Sequence, residues 1–232
     1  MRTKYRLGID AGGTFTDLVL ADQSGDVRLY KALSTPADPT RAIEEGMKLI
    51  ADDLGESPAE IVANSDLCIN GTTVGLNALI QHKGGKTGLI CTAGHEDSIE
   101  IRLGHKEDGY RYDPEYPAAV MLVPRYLRKG VRERVISNGS IKTPLHEDDV
   151  RAACRFFIGE GIEAVAISFV WSVLNQSHER RAAEIVREMM PHAALTVGSD
   201  LYPQVREYTR TSTAVVNAYL VYADEVLSCD QH

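Results

Sequence analysis

The segment Leu7-Gly8-Ile9-Asp10-Ala11-Gly12-Gly13-Thr14-Phe15-Thr16-Asp17-Leu18-Val19-Leu20 ends one apolar run on a carboxylate. Two glycines, two hydroxyls and a second carboxylate follow before the next apolar run. Glycines let a backbone approach a ligand closely, and successive N–H groups in a turn form a concavity that takes anions. The chemistry this combination suits is phosphate binding. Gly12, Gly13, Thr14, Thr16 and Asp17 would surround the phosphate, and Asp10 would face a metal ion or an attacking water. The alternative is a purely structural hairpin turn, since Gly-Gly is common in loops. The conjunction of all these residue types favours the phosphate reading.

A second constellation is Asn70-Gly71-Thr72-Thr73, where a strand ends and a helix opens. Free N–H groups and hydroxyls at such a place could hold a substrate carbonyl or a further phosphate oxygen. Equally, Thr72 or Thr73 could simply cap the helix. A third is basic: His105 and Lys106 in a glycine-flanked loop beside Arg102, then Arg125, Arg128, Lys129, Arg132 and Arg134 in an otherwise acidic chain. These could neutralise developing charge or hold a carboxylate, or the second run could be a salt-bridged surface. His95-Glu96-Asp97 reads as a helix start with acids in its first turn. His178, beside Glu179-Arg180-Arg181, reads as a helix surface. Arg206 through Ser212 opens the last helix with enough polar groups to face a cleft or a partner, although a wet helix face would also explain it.

Hydrophobic patterning supplies the elements that must position these groups. Strand patterns at 5–10, 15–21 and 27–33, separated by tight turns, predict an antiparallel meander. A helix follows over 39–54 with Ile43, Met47 and Ile50 on one face, then a strand at 66–70, a helix at 73–82 and a strand at 86–91. This βββ-αβ-αβ order is the α/β half-domain pattern of ribonuclease-H-like, actin-type ATPases, in which the later units complete a mostly parallel sheet. Residues 104–130 read as a long functional loop. After it come a strand near 131–136, a helix over 147–160 and an almost continuous apolar strand from Glu163 to Val170. A helix over 176–190, a strand at 194–198 and a final helix over 204–222 complete the pattern.

With 232 residues, 44% hydrophobic and 25% charged, the composition is that of a globular protein. A net charge of −8 argues against general nucleic-acid binding, and no apolar run approaches the ~20 residues that span a bilayer. Cys68, Cys91, Cys154 and Cys229 are too far apart for a zinc motif or a disulfide framework, so buried free thiols and a reducing, cytoplasmic location are expected. The last helical pattern stops without a cap, as in a piece of a longer protein.

Several separate motifs together resemble the N-terminal part of the hydantoinase A / 5-oxoprolinase family. They are Gly8 through Asp17, Asn70-Gly71-Thr72-Thr73, Leu122-Val123-Pro124-Arg125, Asn175 through Arg181, and Arg206-Glu207-Tyr208 with Thr211-Ser212-Thr213 and Asn217-Ala218-Tyr219. The resemblance runs from about residue 5 to 222, in family order. It implies an actin-like ATPase region over 1–200, with 201–232 as the truncated start of the next domain. It implies ATP and Mg²⁺ as cofactors, Asp10 and Thr14 as catalytic groups with Asp10 near the metal, and phosphates on Gly12, Gly13, Thr14 and Thr16. The implied reaction activates a carbonyl oxygen by phosphorylation. A cyclic amide of the hydantoin or 5-oxoproline type is then hydrolysed or, in the acetone and acetophenone carboxylase branch, a ketone is carboxylated. The loop Gly104 through Gly109 looks more like that second branch. The implied partners are a small-molecule substrate and a C-terminal remainder or partner subunit, because a second phosphate loop and an adenosine-binding segment would lie beyond these residues. Two other readings are a sugar- or acyl-kinase-type phosphotransferase and a non-catalytic nucleotide-binding or assembly module.

Overall fold

The computed structural model describes residues 5–35, 38–101, 112–113, 115 and 120–229. The chain divides into two compact units, Met1–Lys83 and Gly84–His232.

In the first unit, β1 (Tyr5–Ala11), β2 (Phe15–Asp22) and β3 (Val27–Leu33) form the expected antiparallel meander. Leu7, Leu18 and Leu20 fall on one face by strict alternation and are buried. Helix α1 (Pro39–Leu54) covers that face with Met47 and Ile50. Asp38 caps its start by accepting from the Thr40 N–H, and Gly55 ends it at φ 69°. The helix comes so close to β2 that a Cβ on Gly46 would lie 2.2 Å from Leu18 Cδ1. A second helix that periodicity did not predict, α2 (Pro58–Ala63), is too short to show a repeat. Its start is nonetheless written locally, as a capping box between Ser57 and Glu60 with Pro58 in the first turn. Strand β4 (Ser65–Thr72) then pairs parallel to β1, giving the order β3-β2-β1-β4, and α3 (Val74–Ile80) follows it.

In the second unit, β5 (Thr87–Thr92), β6 (Arg128–Val131), β9 (Ala164–Ser168) and β10 (Ala194–Val197) form an all-parallel sheet in the order β10-β9-β5-β6. Strand β5 therefore does not extend the first sheet, as the βββ-αβ-αβ pattern predicts, but lies at the centre of a second one. Its six buried residues, like the five of β9, can be covered on both faces only inside such a sheet. Helices α5 (Glu147–Gly159), α6 (Ser177–Met189) and α8 (Glu207–Cys229) enclose it through Phe157, Ile185, Val186, Ala214 and Val215. Between β5 and β6 lies the one-turn helix α4 (Ser98–Ile101). The strand expected at 131–136 is two pieces: β6, and β7 (Arg134–Val135), which pairs with β8 (Ile141–Thr143) in a separate hairpin. The pattern missed the start of β6 because its first residue, Arg128, is charged yet only 2% exposed. The guanidinium is satisfied by the Val123 and Glu96 carbonyls and the Glu100 carboxylate. After α7 (Gly198–Leu201), the last helix begins at Glu207 rather than 204 and continues past 222 to Cys229.

Candidate functional site

The turn between β1 and β2 is closed by the Gly12 N–H, which donates to the Phe15 carbonyl at 3.0 Å. A Cβ on Gly12 would stand 2.7 Å from that oxygen, so the position requires glycine. Gly13 and Thr14 form the exposed tip. Neither of their N–H groups has a protein partner among the described residues, which leaves two adjacent donors turned to solvent. The Thr14 carbonyl is fixed by the Ser34 N–H at 3.0 Å. The tip is thus an anchored loop with its donors outward.

The two glycine- and threonine-bearing motifs are brought together. Strand β4 pairs with β1 so that Asp10 aligns with Gly71 and Ala11 with Thr72. The Thr73 N–H donates to the Ala11 carbonyl at 3.4 Å. Thr73 occupies the cap position of α3 without making a side-chain cap bond, and its hydroxyl accepts from Asn77 Nδ2 at 3.2 Å. Asn77 also sets the limit at Gly13, where a Cβ would meet its Nδ2 at 3.0 Å. Asn70 aligns with Ile9, on the sheet face opposite Asp10.

Asp10 and Asp17 are cross-strand neighbours, both exposed. Asp17 is engaged by Lys31 at 3.1 Å, whereas no ion pair holds Asp10 among the described residues. Thr16 points the other way: it is 1% exposed and its hydroxyl bonds that of Ser34 at 2.9 Å. The surface at the tip is therefore Asp10, Gly13 and Thr14, with Asp17 beside Asp10 on the same face and held by Lys31, and Thr16 tying the hairpin together from the opposite face. His105 and Lys106 lie outside the described residues.

These groups suit a nucleotide phosphate accompanied by Mg²⁺. Among the described residues no cluster of three or more His, Cys, Asp or Glu could hold a metal. Mg²⁺ does not ask for one, since it is commonly held by one or two carboxylates with water and phosphate oxygens.

In the second unit, the basic run is mostly structural. Arg125 pairs with Asp97 at 2.5 Å, Arg132 with Asp149 at 2.7 Å, and Lys129 sits 3.4 Å above the Phe156 ring. His178 and Glu179 overturn their expected place on a helix surface, being 6% and 0% exposed. His178 Nδ1 lies 2.8 Å from Glu133, and Glu179 accepts from the Phe169 and Ser199 N–H groups at 2.7 and 2.9 Å. Charged letters hid this burial, because their partners come from distant strands. Cys68, Cys91 and Cys154 are free thiols. Cys68 is exposed rather than buried, while burial pushes Cys91 up to about 12 and Cys154 up to about 11, far from thiolate chemistry.

Comparison with known proteins agrees with the motifs. The family described as the hydantoinase/oxoprolinase N-terminal region matches residues 6–190. Caprolactamase subunit alpha of Pseudomonas jessenii is 61% identical over 94% of this chain and 32% of its own length. The acetophenone carboxylase gamma subunit of Aromatoleum aromaticum is 37% identical over 92% of this chain and 31% of its own. The crystal structure of the ATP-dependent caprolactamase from Pseudomonas jessenii superposes with a TM-score of 0.84 at 60% identity, covering 97% of this chain and 33% of that one. The chain spans about a third of the length of the curated relatives it matches.

Proposed function

The chain belongs to the hydantoinase/oxoprolinase family through that family's N-terminal region, and from this premise we propose that it is the ATP-handling N-terminal region of an enzyme that opens a cyclic amide. The observation that carries the proposal is 61% identity with a caprolactamase subunit across nearly the whole chain. The hairpin tip supports it with two outward N–H donors, the Thr14 hydroxyl and the Asp10 carboxylate, which no ion pair holds among the described residues. The order β3-β2-β1-β4, with β4 parallel to β1, supports a ribonuclease-H-like, actin-type half-domain.

When bound, ATP supplies the phosphoryl group that activates the amide carbonyl oxygen. The residues of this chain bind and orient. Gly12 allows the close turn, Gly13 and Thr14 hold phosphate oxygens, and Asp10 holds Mg²⁺ or orients the attacking group. Thr16 and Asp17 keep the hairpin rigid. The Gly71–Thr73 turn stands beside this tip as a place for a substrate carbonyl or a phosphate oxygen. The family region runs to about residue 200, and α8 packs on the core of the same second unit through Ala214 and Val215 rather than opening a separate domain. The rest of the same enzyme or a partner subunit completes the site, and the setting is reducing and cytoplasmic. A second reading, a subunit of a ketone carboxylase, is favoured by the 37% identity with the acetophenone carboxylase gamma subunit.

The test is ATP hydrolysis by the full-length, fully assembled enzyme. Caprolactam, hydantoin, 5-oxoproline and acetophenone with bicarbonate would be offered in turn. Stimulation by a cyclic amide is expected. Stimulation by the ketone alone would move the assignment to the carboxylase branch, and stimulation by none would remove both. An Asp10→Asn enzyme is expected to lose about 10²-fold or more in turnover, and an undiminished rate would end the role given to that carboxylate.

A further inference from the structure

Strands β5 and β9 are neighbours, but the chain leaves β5 towards β6 at one edge of the sheet and β9 towards β10 at the other. In open parallel sheets such a switch point opens a crevice at the carboxyl ends of the two strands, and ligands bind there. A cavity of about 410 Å³ lies at this place, within the size range of small-molecule sites. His95, from the turn after β5, and Trp171, from the turn after β9, line it with Ser98, Arg134, Glu207 and Tyr208.

The lining is held by buried bonds. The Val170 N–H donates to Thr92 Oγ1 at 3.0 Å, and the Thr92 hydroxyl donates to Glu133, which is also bound by His178. The ends of β5 and β9 and the residue preceding Arg134 are thereby locked together. Trp171 has φ 57° and Arg206, next to Glu207, has φ 86°. Non-glycine residues in this region cost energy and persist where the surroundings impose them, often at ligand sites.

Among the described residues the two charged groups of the cavity, Arg134 and Glu207, do not pair with one another. Arg134 Nη1 donates to His95 Nε2 at 3.0 Å. A guanidinium only donates, so that nitrogen accepts and the ring proton sits on Nδ1, a further donor. Among the described residues Arg134 has no carboxylate partner and makes no ion pair with Glu207. Among the described residues Glu207 has one ion pair, a long one to Arg210 Nη2 at 3.9 Å, and that nitrogen already donates to the Phe169 carbonyl at 2.8 Å. Ile101 and Val170 add apolar wall.

We infer that this cavity binds a small zwitterionic amino acid, its carboxylate on Arg134, its ammonium on Glu207 and its carbon chain along Val170 and Trp171. The site lies within the second unit and does not rest on the ATP reading.

Trp171 is the only tryptophan of the chain, so its fluorescence reports occupancy. Titration of the 232-residue chain with 5-aminopentanoate is expected to give a saturable change. Pentanoate and pentylamine, which each keep one charge, are expected to bind at least about tenfold more weakly. Arg134→Gln and Glu207→Gln are each expected to abolish the preference for the zwitterion. Pentanoate or pentylamine binding as well as 5-aminopentanoate, no saturable change with any of the three, or full binding by either variant would overturn the inference. The monofunctional controls need no substitution, so they decide the question even where a variant fails to fold.

Discussion

In the sheet of β1–β4, three strands are antiparallel and β4 is exposed along most of its length, whereas in the sheet of β5, β6, β9 and β10 every strand is parallel and β5 and β9 are buried throughout. The difference decides where chemistry can be written. An antiparallel pair is joined by a tight turn, so its loop is made of neighbours in sequence, as in Asp10 through Asp17. A parallel pair needs a long crossover, so the groups gathered at its carboxyl edge come from far apart: His95, Arg134, Trp171 and Glu207. The two regions also spend polar groups differently. The first turns Asp10 and Thr14 to solvent, while the second buries Glu133, His178, Glu179 and Arg210 to hold strand ends in place.

The sharpest break of this contrast is Glu179→Ala. It would leave the Phe169 and Ser199 N–H groups buried without acceptors, at roughly 1–3 kcal/mol for each orphaned donor. Urea unfolding is expected to register a loss of about 2–6 kcal/mol, and a loss below about 1 kcal/mol would show that the buried network is not structural. In the first sheet the comparable blow is apolar. Leu18→Ala removes a fully buried side chain beneath α1 and is expected to cost about 2–5 kcal/mol, read by the same measurement.

A finer test lies inside the hairpin. Thr16→Ala breaks the half-buried bond to Ser34 and is expected to lower stability by about 1 kcal/mol. Thr14→Ala, at the exposed tip, is expected to change stability by less than about 0.5 kcal/mol while weakening nucleotide binding. The reverse pattern would place the phosphate site elsewhere. The smallest effect concerns Asp149, which the Arg132 guanidinium draws from the ordinary aspartate value of 3.8 to about 2. A depressed carboxyl contributes stability above its unfolded value and loses it as pH falls through the folded one. The pair is therefore expected to weaken between about pH 4 and 2, and Arg132→Gln to return Asp149 towards 3.8 by carboxyl NMR titration. An unmoved titration in the variant would reassign the shift to another cause.

Much of the fold was legible because it is local. Alternation in β1–β3, the Asp38-Pro39 start and Gly55 end of α1, and the apolar run of β9 are each written in contiguous residues. The first motif was legible for the same reason, since Gly12 is needed by its own turn. Its inner partition was not: Thr14 and Thr16 are the same residue type, and only pleat direction and Ser34 separate an exposed hydroxyl from a buried one. The burial of His178, Glu179 and Arg128 is not legible in the sequence, because a charged side chain is buried only when partners from other strands meet it.

By itself, the order of residues determined the meander, the longer helices, the family and the glycine-threonine turn, all set by short-range sterics and periodicity. Only the tertiary structure decided that β5 joins the second sheet, that the Asp10 turn stands beside the Gly71-Thr72-Thr73 turn, and that His95, Arg134, Trp171 and Glu207 line one cavity. Parallel pairing leaves no mark in neighbouring residues. It is fixed by burial of whole strands on both faces, a property of the assembled sheet rather than of any segment.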